Sequence, residues 1–238
     1  MRIEVVPTVD EIRQEQICNR TVVMLDVFRS SSTILAALAH GFESVIPVET
    51  IGQAHSLRSE QTILAGERNC KKIADFDFNN SPSEISKGHY PGKNLVLTTT
   101  NGTRAIQKAE RATQLLIGAF LNATACIKQA IASKSDITLY CAGTRQEFAL
   151  EDGLAAGYMI HQAKKVNAHV HVCDLGEVLE GSYLHSKDQL PQRLLQSITG
   201  KRLLNYRFHN DLQFCSQMDL YTIVPVVKEK RILPLLVS

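Results

Sequence analysis

A short apolar run, a polar loop and an amphipathic stretch follow one another repeatedly along this sequence. Residues 21–27 (TVVMLDV) open the first unit, followed by FRSSS and then TILAALAHG, a helix that Gly41 can end. The same order returns after 44–48 (SVIPV), 61–65 (QTILA), 94–99 (NLVLTT), 114–117 (QLLI) and 136–141 (DITLYC). Runs that are apolar at nearly every position fit strands buried on both faces. Such strands alternating with helices predict an α/β fold with a largely parallel sheet. A helix is predicted after 141, mostly helix over 174–200 with a break at Pro191, and a late strand over 222–227. Residues 200–217 give no clear period. No repeat or linker interrupts the pattern, so residues 1–238 are read as one domain.

A chain of 238 residues can bury roughly 70% of its surface, enough to fold without a disulfide or a structural metal. Lys plus Arg number 26 and Asp plus Glu 24, a formal net charge of +2. That balance excludes a protein whose main task is coating DNA or an anionic membrane. No apolar run approaches the ~18 residues of a membrane span. The opening MRIEVVPTVDEIRQEQ has no apolar signal core. A cytoplasmic protein with neither nucleic-acid nor membrane partners is therefore expected. Six Cys are scattered without a CxxC pair, which predicts small buried apolar residues rather than a disulfide or zinc framework.

In α/β sheets ligands bind beyond the carboxyl ends of the strands, so the loops after the apolar runs are where chemistry is expected. The first such loop carries Asp26, Arg29 and then Ser30, Ser31, Ser32 and Thr33 at a helix start. Helix N-termini offer unpaired N–H groups and partial positive charge to an anion. One hydroxyl there is an ordinary cap; four in a row beside an Arg exceed what capping needs. The second loop repeats the recipe with Thr100, Asn101, Gly102, Thr103 and Arg104, in which the backbone can form a nest for phosphate oxygens. The third has Gly143, Thr144 and Arg145, followed by Glu151 and Asp152, acids that a helix dipole alone would also favour. The fourth is Gly66-Glu67-Arg68, and a fifth, FDFNNSP, is a lid, a wall or a surface turn.

If the strands run in parallel, these loops share one edge. Arg29, Arg68, Arg104 and Arg145 then suit a polyanion, because guanidinium grips carboxylate, sulfonate and phosphate oxygens in a fork. Asp26, Glu67, Glu151 and Asp152 would repel that anion unless a cation lies between them. Hard oxygen donors beside phosphate point to Mg²⁺. The combination predicts a Mg²⁺-assisted phosphoryl-transfer or phosphate-binding site. No GxxxxGK[ST], GxGxxG or GxSxG accompanies it.

The stretches DVFRSSSTI, GER, FDFNNSP, LTTTNGTRA, GAFLNA and CAGTRQEFALEDGLAAG, with GKRLL, FCSQMD and VP near the end, resemble the 2-phosphosulfolactate phosphatase family in residues and order. The resemblance implies a three-layer α/β/α sandwich with a mixed sheet. It implies a Mg²⁺-dependent phosphomonoester hydrolase that converts 2-phospho-3-sulfolactate and water to 3-sulfolactate and phosphate, a step of coenzyme M synthesis. Such a substrate carries a phosphate, a sulfonate and a carboxylate, a charge of about −4, which agrees with several arginines and a divalent cation. This chain departs from the family at three places. Phe28 to Thr33 replace Leu-Arg-Ala-Thr-Thr-Thr, Asn69-Cys70 replace a Gly pair after GER, and Gln146 stands where Gly is common.

The expected site therefore has Asp26, Glu67, Glu151 and Asp152 as metal ligands, one of them doubling as base or nucleophile. Asp26, Arg29, Glu67, Arg104 and Arg145 are the catalytic set. Ser31, Ser32, Thr33, Arg68, Thr100, Asn101, Gly102, Thr103 and Thr144 bind phosphate or substrate. The alternatives are a phosphatase of the same fold acting on another small phosphorylated acid, and a non-catalytic anion-binding module. The apolar C-terminus RILPLLVS predicts either a homodimer contact or a final edge strand.

Overall fold

The computed structural model describes residues 1–235; the last residues of RILPLLVS, 236–238, lie outside them. The strands are β1 (Arg2–Val6), β2 (Arg20–Leu25), β3 (Ser44–Pro47), β4 (Thr62–Arg68), β5 (Lys71–Lys72), β6 (Asn94–Thr98), β7 (Gln114–Gly118), β8 (Asp136–Cys141), β9 (His171–Val172), β10 (Val224–Lys228) and β11 (Arg231–Leu235). The α-helices are α1 (Ser30–Ala39), α2 (Ile51–Ser56), α3 (Pro82–Ile85), α4 (Gly102–Lys108), α5 (Ala123–Ala132), α6 (Leu150–Val166), α7 (Asp174–Ser186), α8 (Leu190–Leu195), α9 (Ile198–Asn205) and α10 (His209–Cys215). Together they form an α/β sandwich around one mixed, mostly parallel sheet in the order β5-β4-β6-β3-β11-β10-β7-β2-β8-β1-β9.

The apolar runs behave as two-faced strands. Val23, Leu25 and Val27 enter one core, shared with α5, α6 and α7, while Val22 and Met24 enter another, shared with α1 and α4. Each such side chain, fully buried, contributes about 1.5–3 kcal/mol. Every strand expected from the sequence is present. β1 is a further strand that no continuous apolar run announces, because Arg2 and Glu4 alternate with Ile3 and Val5 and Pro7 follows; it pairs in parallel with β8. Of the six Cys, only Cys126, Cys141 and Cys215 are buried; Cys18 is exposed and Cys70 and Cys173 are half-buried, so the expectation of six core residues fails for three.

The largest departure lies at the C-terminus. Neither edge strand nor free surface, β11 pairs antiparallel with β10, and the hairpin is inserted in the middle of the sheet. β10 meets β7 through Val226↔Leu116 and β11 meets β3 through Ile232↔Val45, both antiparallel. Consequently β3, β4 and β6 run opposite to β2, β7 and β8, and the assumption of one common direction is overturned. β2 and β6 stand five strands apart in the order, about 24 Å in a flat sheet. Yet a Cβ on Gly102, just past β6, would come 3.0 Å from Asp26 Oδ2, just past β2. The sheet therefore curls, and the curl brings together the loops that strand direction alone would have separated.

Candidate active site

The loop after β2 is fastened by its own hydroxyls. The Asp26 N–H donates to Ser31 Oγ at 2.9 Å, and Ser32 Oγ donates to the Val27 carbonyl at 2.9 Å. Both serines are fully buried and neither reaches the cavity beyond the strand; Thr33 Oγ1 is likewise buried, without a partner. Of the three hydroxyls expected to hold phosphate, those of Ser31 and Ser32 thus build the turn instead and that of Thr33 is buried beside it, because α1 starts at Ser30 and carries them inward. What the turn presents to the cavity is Asp26, Phe28 and Arg29. The Ser30 N–H, at the first position of α1, donates to Asp26 Oδ1 at 3.3 Å. Oδ2 has no hydrogen bond among the described residues.

The cavity measures about 120 Å³. Glu67, Thr100, Asn101, Thr144 and Arg145 reach it as expected. Glu67 is committed: Oε1 accepts from the Thr100 N–H at 3.2 Å and its hydroxyl at 3.0 Å, and Oε2 accepts from the Cys70 N–H at 2.8 Å. It ties the β4 and β6 loops together. Asn101 donates to the Gly143 carbonyl at 2.9 Å and ties in the β8 loop. Gly102 permits the close approach to Asp26 without lining the cavity. Thr103 faces a separate groove of about 1260 Å³ and bonds the Thr99 carbonyl, so its expected substrate contact is not supported.

Two arginines are corrected. Arg104, third in α4, points outward to Asp10 at 3.0 Å and is half-exposed. Arg68 follows Glu67 in β4 and so takes the opposite side; it donates to the carbonyls of Glu67 and Glu49 and to Thr98 Oγ1. Neither lines the cavity. Arg29 does, though not freely. It is buried, paired with Asp211 at 2.7 Å and stacked under the Phe208 ring at 4.1 Å.

The remaining acids lie behind Asp26 at the start of α6. Asp152 accepts from the Val27 N–H at 2.8 Å and the Gly143 N–H at 3.0 Å, clamping the β2 and β8 loops. Glu151 is buried and its Oε2 has no partner. Burial, more than anything else, drives the Asp26 carboxyl up to about 7, with the Glu67 and Glu151 charges adding to it. Burial also raises Glu151, against the hydroxyls of Thr199 and Ser197 and the Arg202 charge. Asp152 is raised further, by burial and by the charges of Asp26 and Glu151. Among the described residues, no three His, Cys, Asp or Glu side chains converge as a ready metal cage. The four expected ligands divide instead: Glu67 and Asp152 have both oxygens bonded to the chain, Asp26 lines the cavity with Oδ2 unbonded, and Glu151 Oε2 is unpartnered but buried behind it.

The sequence reading missed Thr99, Asn80 and Arg202, all of which line the cavity. Thr99 Oγ1 and Asn80 Oδ1 are buried and unpartnered. Asn80 lies in FDFNNSP, which is therefore a wall. Arg202 comes from α9, in the stretch without a clear period, and only the GKRLL motif marked it. At the family's glycine positions, Asn69, Cys70 and Gln146 take left-handed φ of 54°, 66° and 66°, the conformation glycine adopts most cheaply.

A family model described as 2-phosphosulpholactate phosphatase matches residues 6–230. A probable 2-phosphosulfolactate phosphatase of Thermotoga maritima is 39% identical over 211 residues, covering 87% of this chain and 89% of that protein. The protein of that name from Clostridium tetani is 35% identical over 231 residues, covering 96% and 98%. One from Clostridium acetobutylicum is 33% identical over 228 residues, covering 94% and 97%.

Proposed function

The chain belongs to the 2-phosphosulpholactate phosphatase family, and we propose that it hydrolyses the phosphate monoester of a small polyanionic acid, 2-phospho-3-sulfolactate, with Mg²⁺ as cofactor. One observation carries the reading: buried Asp26, with its carboxyl near 7 and one oxygen open, faces a polar cavity beside Arg29. A carboxyl of that kind can give and take a proton near neutral pH, which is what a hydrolytic step asks of it.

In the proposed reaction the phosphoryl group lies over the start of α1. Arg29 and the Asn101 side chain face its oxygens, and Thr99 Oγ1 and Asn80 Oδ1 supply unpaired groups on the wall. Water attacks phosphorus in line with the ester oxygen, Asp26 Oδ2 takes its proton, the P–O ester bond breaks, and the leaving alkoxide takes a proton from water at the mouth of the cavity. Most of the acceleration comes from position and fixed charge. Asp26 Oδ2 cannot hold a cation while it takes that proton, so the unpartnered Oε2 of Glu151 is the hard donor that would hold one, with shell waters completing its coordination, as Mg²⁺ prefers. When bound, the ion supplies Lewis-acid polarisation of the phosphoryl group and relieves the repulsion among the acids.

The test is phosphate release from 2-phospho-3-sulfolactate, phospholactate and an aryl phosphate, each with Mg²⁺ and with EDTA. Release favouring the sulfonated substrate and abolished by EDTA is expected. Release only from the other two leaves a Mg²⁺ phosphatase of another phosphorylated acid, a reading favoured by Asn69 and Cys70 in the cavity wall where the family has glycines. No release from any, in folded protein, refutes the enzyme reading.

A further inference from the structure

Arg29 lines the cavity from inside the protein, with its side chain 2% exposed. A buried guanidinium has a position and a plane, and here different contacts set the two. The position is set by Asp211, through the 2.7 Å bond from Nη1 to Oδ2. That bond is single. The parallel fork that guanidinium and carboxylate frequently make would need Asp211 Oδ1 as well. Oδ1 is already filled by the hydroxyls of Ser81 and Ser83 and by the Ser83 N–H. A single hydrogen bond is a pivot: it holds one nitrogen and lets the rest of the plane turn about it. Among the described residues, Nε and Nη2 of Arg29 make no hydrogen bond that would stop the turning.

Phe208 stops it. Arg29 Cζ stands over the Phe208 ring, 4.1 Å from its centroid, so rotation about Nη1 either drives a nitrogen into the ring or pulls the cation off it. The ring is itself held. Phe208 joins α9 to α10, where its N–H donates to the Leu203 carbonyl at 3.0 Å and its carbonyl accepts from the Leu212 N–H at 3.1 Å. Before it, Arg207 takes a left-handed φ of 65°, a turn that leaves Tyr206 on the cavity wall and Phe208 against Arg29. A second carboxylate in that place would also fix the plane, but it would neutralise the cation. An aromatic face attracts the guanidinium through its quadrupole and leaves the formal charge for an anion.

We propose that Phe208 is a positioning residue for the hydrolysis: it sets the plane of the Arg29 guanidinium, so that the free edge of the fork meets the phosphoryl oxygens as the transferred group flattens. The proposal deepens the phosphatase reading and rests on it for the group that Arg29 meets. It also separates two duties on α10 and the corner before it, Asp211 holding one nitrogen and Phe208 the plane. Only a planar cation needs the second duty. A lysine ammonium is a point charge with no plane to set, and that difference gives the proposal its test.

The experiment compares wild type, Phe208→Leu, Phe208→Tyr, Arg29→Lys and the double variant Arg29→Lys/Phe208→Leu, each checked for folding by urea unfolding. Turnover gives kcat and KM for the phosphoester that wild type hydrolyses fastest. Calorimetry with Mg²⁺ measures binding of inorganic phosphate and of orthovanadate, whose five-coordinate form copies the group in transfer. Phe208→Leu keeps apolar bulk and removes the ring, so kcat should fall about tenfold with KM within about twofold. Orthovanadate affinity should fall by the same factor while phosphate affinity holds. Phe208→Tyr keeps the ring face and should stay within about threefold of wild type in kcat. In the Arg29→Lys background, Phe208→Leu should cost less than about twofold. A ring that only fills space costs the same factor in both backgrounds; that result, or an unchanged kcat in Phe208→Leu, overturns the proposal. Phe208→Met takes the same place in the cycle if Phe208→Leu does not fold. If orthovanadate binding follows this pattern yet no phosphoester is turned over, the positioning stands and the phosphatase reading falls. If wild type binds neither oxyanion, the positioning falls whatever the turnover.

Discussion

Asp26 shows how burial converts an ordinary acid into a reactive one. Its place after a strand was legible, because apolar TVVML must end somewhere and the next residue is charged. Its altered acidity was not legible, since that depends on burial by other elements, with the Glu67 and Glu151 charges adding to it. The consequence for stability has a definite sign. An unfolded Asp loses its proton near pH 3.9, whereas folded Asp26 keeps it until about 7. Between these values the folded state binds more protons than the unfolded one, so stability falls as pH rises and levels off above 7. In EDTA, wild-type Tm should decline from pH 5 to pH 8. Asp26→Asn, which carries no charge, should show a smaller decline and a Tm at pH 8 no lower than wild type, while turnover falls roughly 10²-fold or more. A parallel loss of Tm and turnover would make Asp26 a structural residue. The hydroxyls beside it teach the opposite lesson. Ser31 and Ser32 looked like ligands because sequence gives order along a helix start but not which side chains turn inward.

Elements meet at the site through acids that never touch the cavity. Asp211, in α10, has Arg29 Nη1 on Oδ2 at 2.7 Å, and its Oδ1 accepts from Ser81 Oγ at 2.7 Å, the Ser83 N–H at 3.1 Å and Ser83 Oγ at 2.6 Å. It thereby joins α10, the start of α3 and the β2 turn, and it fixes the guanidinium that faces the phosphoryl position. Nothing in the sequence marked Asp211, because it falls between the GKRLL and FCSQMD stretches and belongs to neither. Asp211→Asn keeps the shape and removes the charge. Breaking a buried pair in this way costs about 3–5 kcal/mol, measurable by urea unfolding. kcat/KM should fall as well, as Arg29 loses its anchor. Full stability in that variant would contradict the pairing. Asp152 plays the same part between the β2 and β8 loops, which explains why LED opens α6 with two acids of different duty: Glu151 keeps an open oxygen, and Asp152 spends both.

At the scale of the whole molecule, the alternation of apolar runs and helices was enough to fix the α/β class. It could not fix strand order or direction, which depend on pairings between distant residues. The site still formed where loops after strands were expected, because a curled sheet brought opposed half-sheets together. The hairpin of β10 and β11 is the hydrogen-bonded link between those halves, through Val226 and Ile232. Ile232 is fully buried. Ile232→Ala should therefore cost about 2–5 kcal/mol by urea unfolding; a cost well under that range would show that the halves hold without it. The hairpin also sets a schedule. A ribosome releases β2, β4 and β6, with Asp26, Glu67 and Thr100, long before it makes residues 224–235. Until those residues emerge, the two halves have no strand between them to fix their spacing. The nascent chain therefore holds every residue of the cavity before it holds the strands that join the two half-sheets lining it.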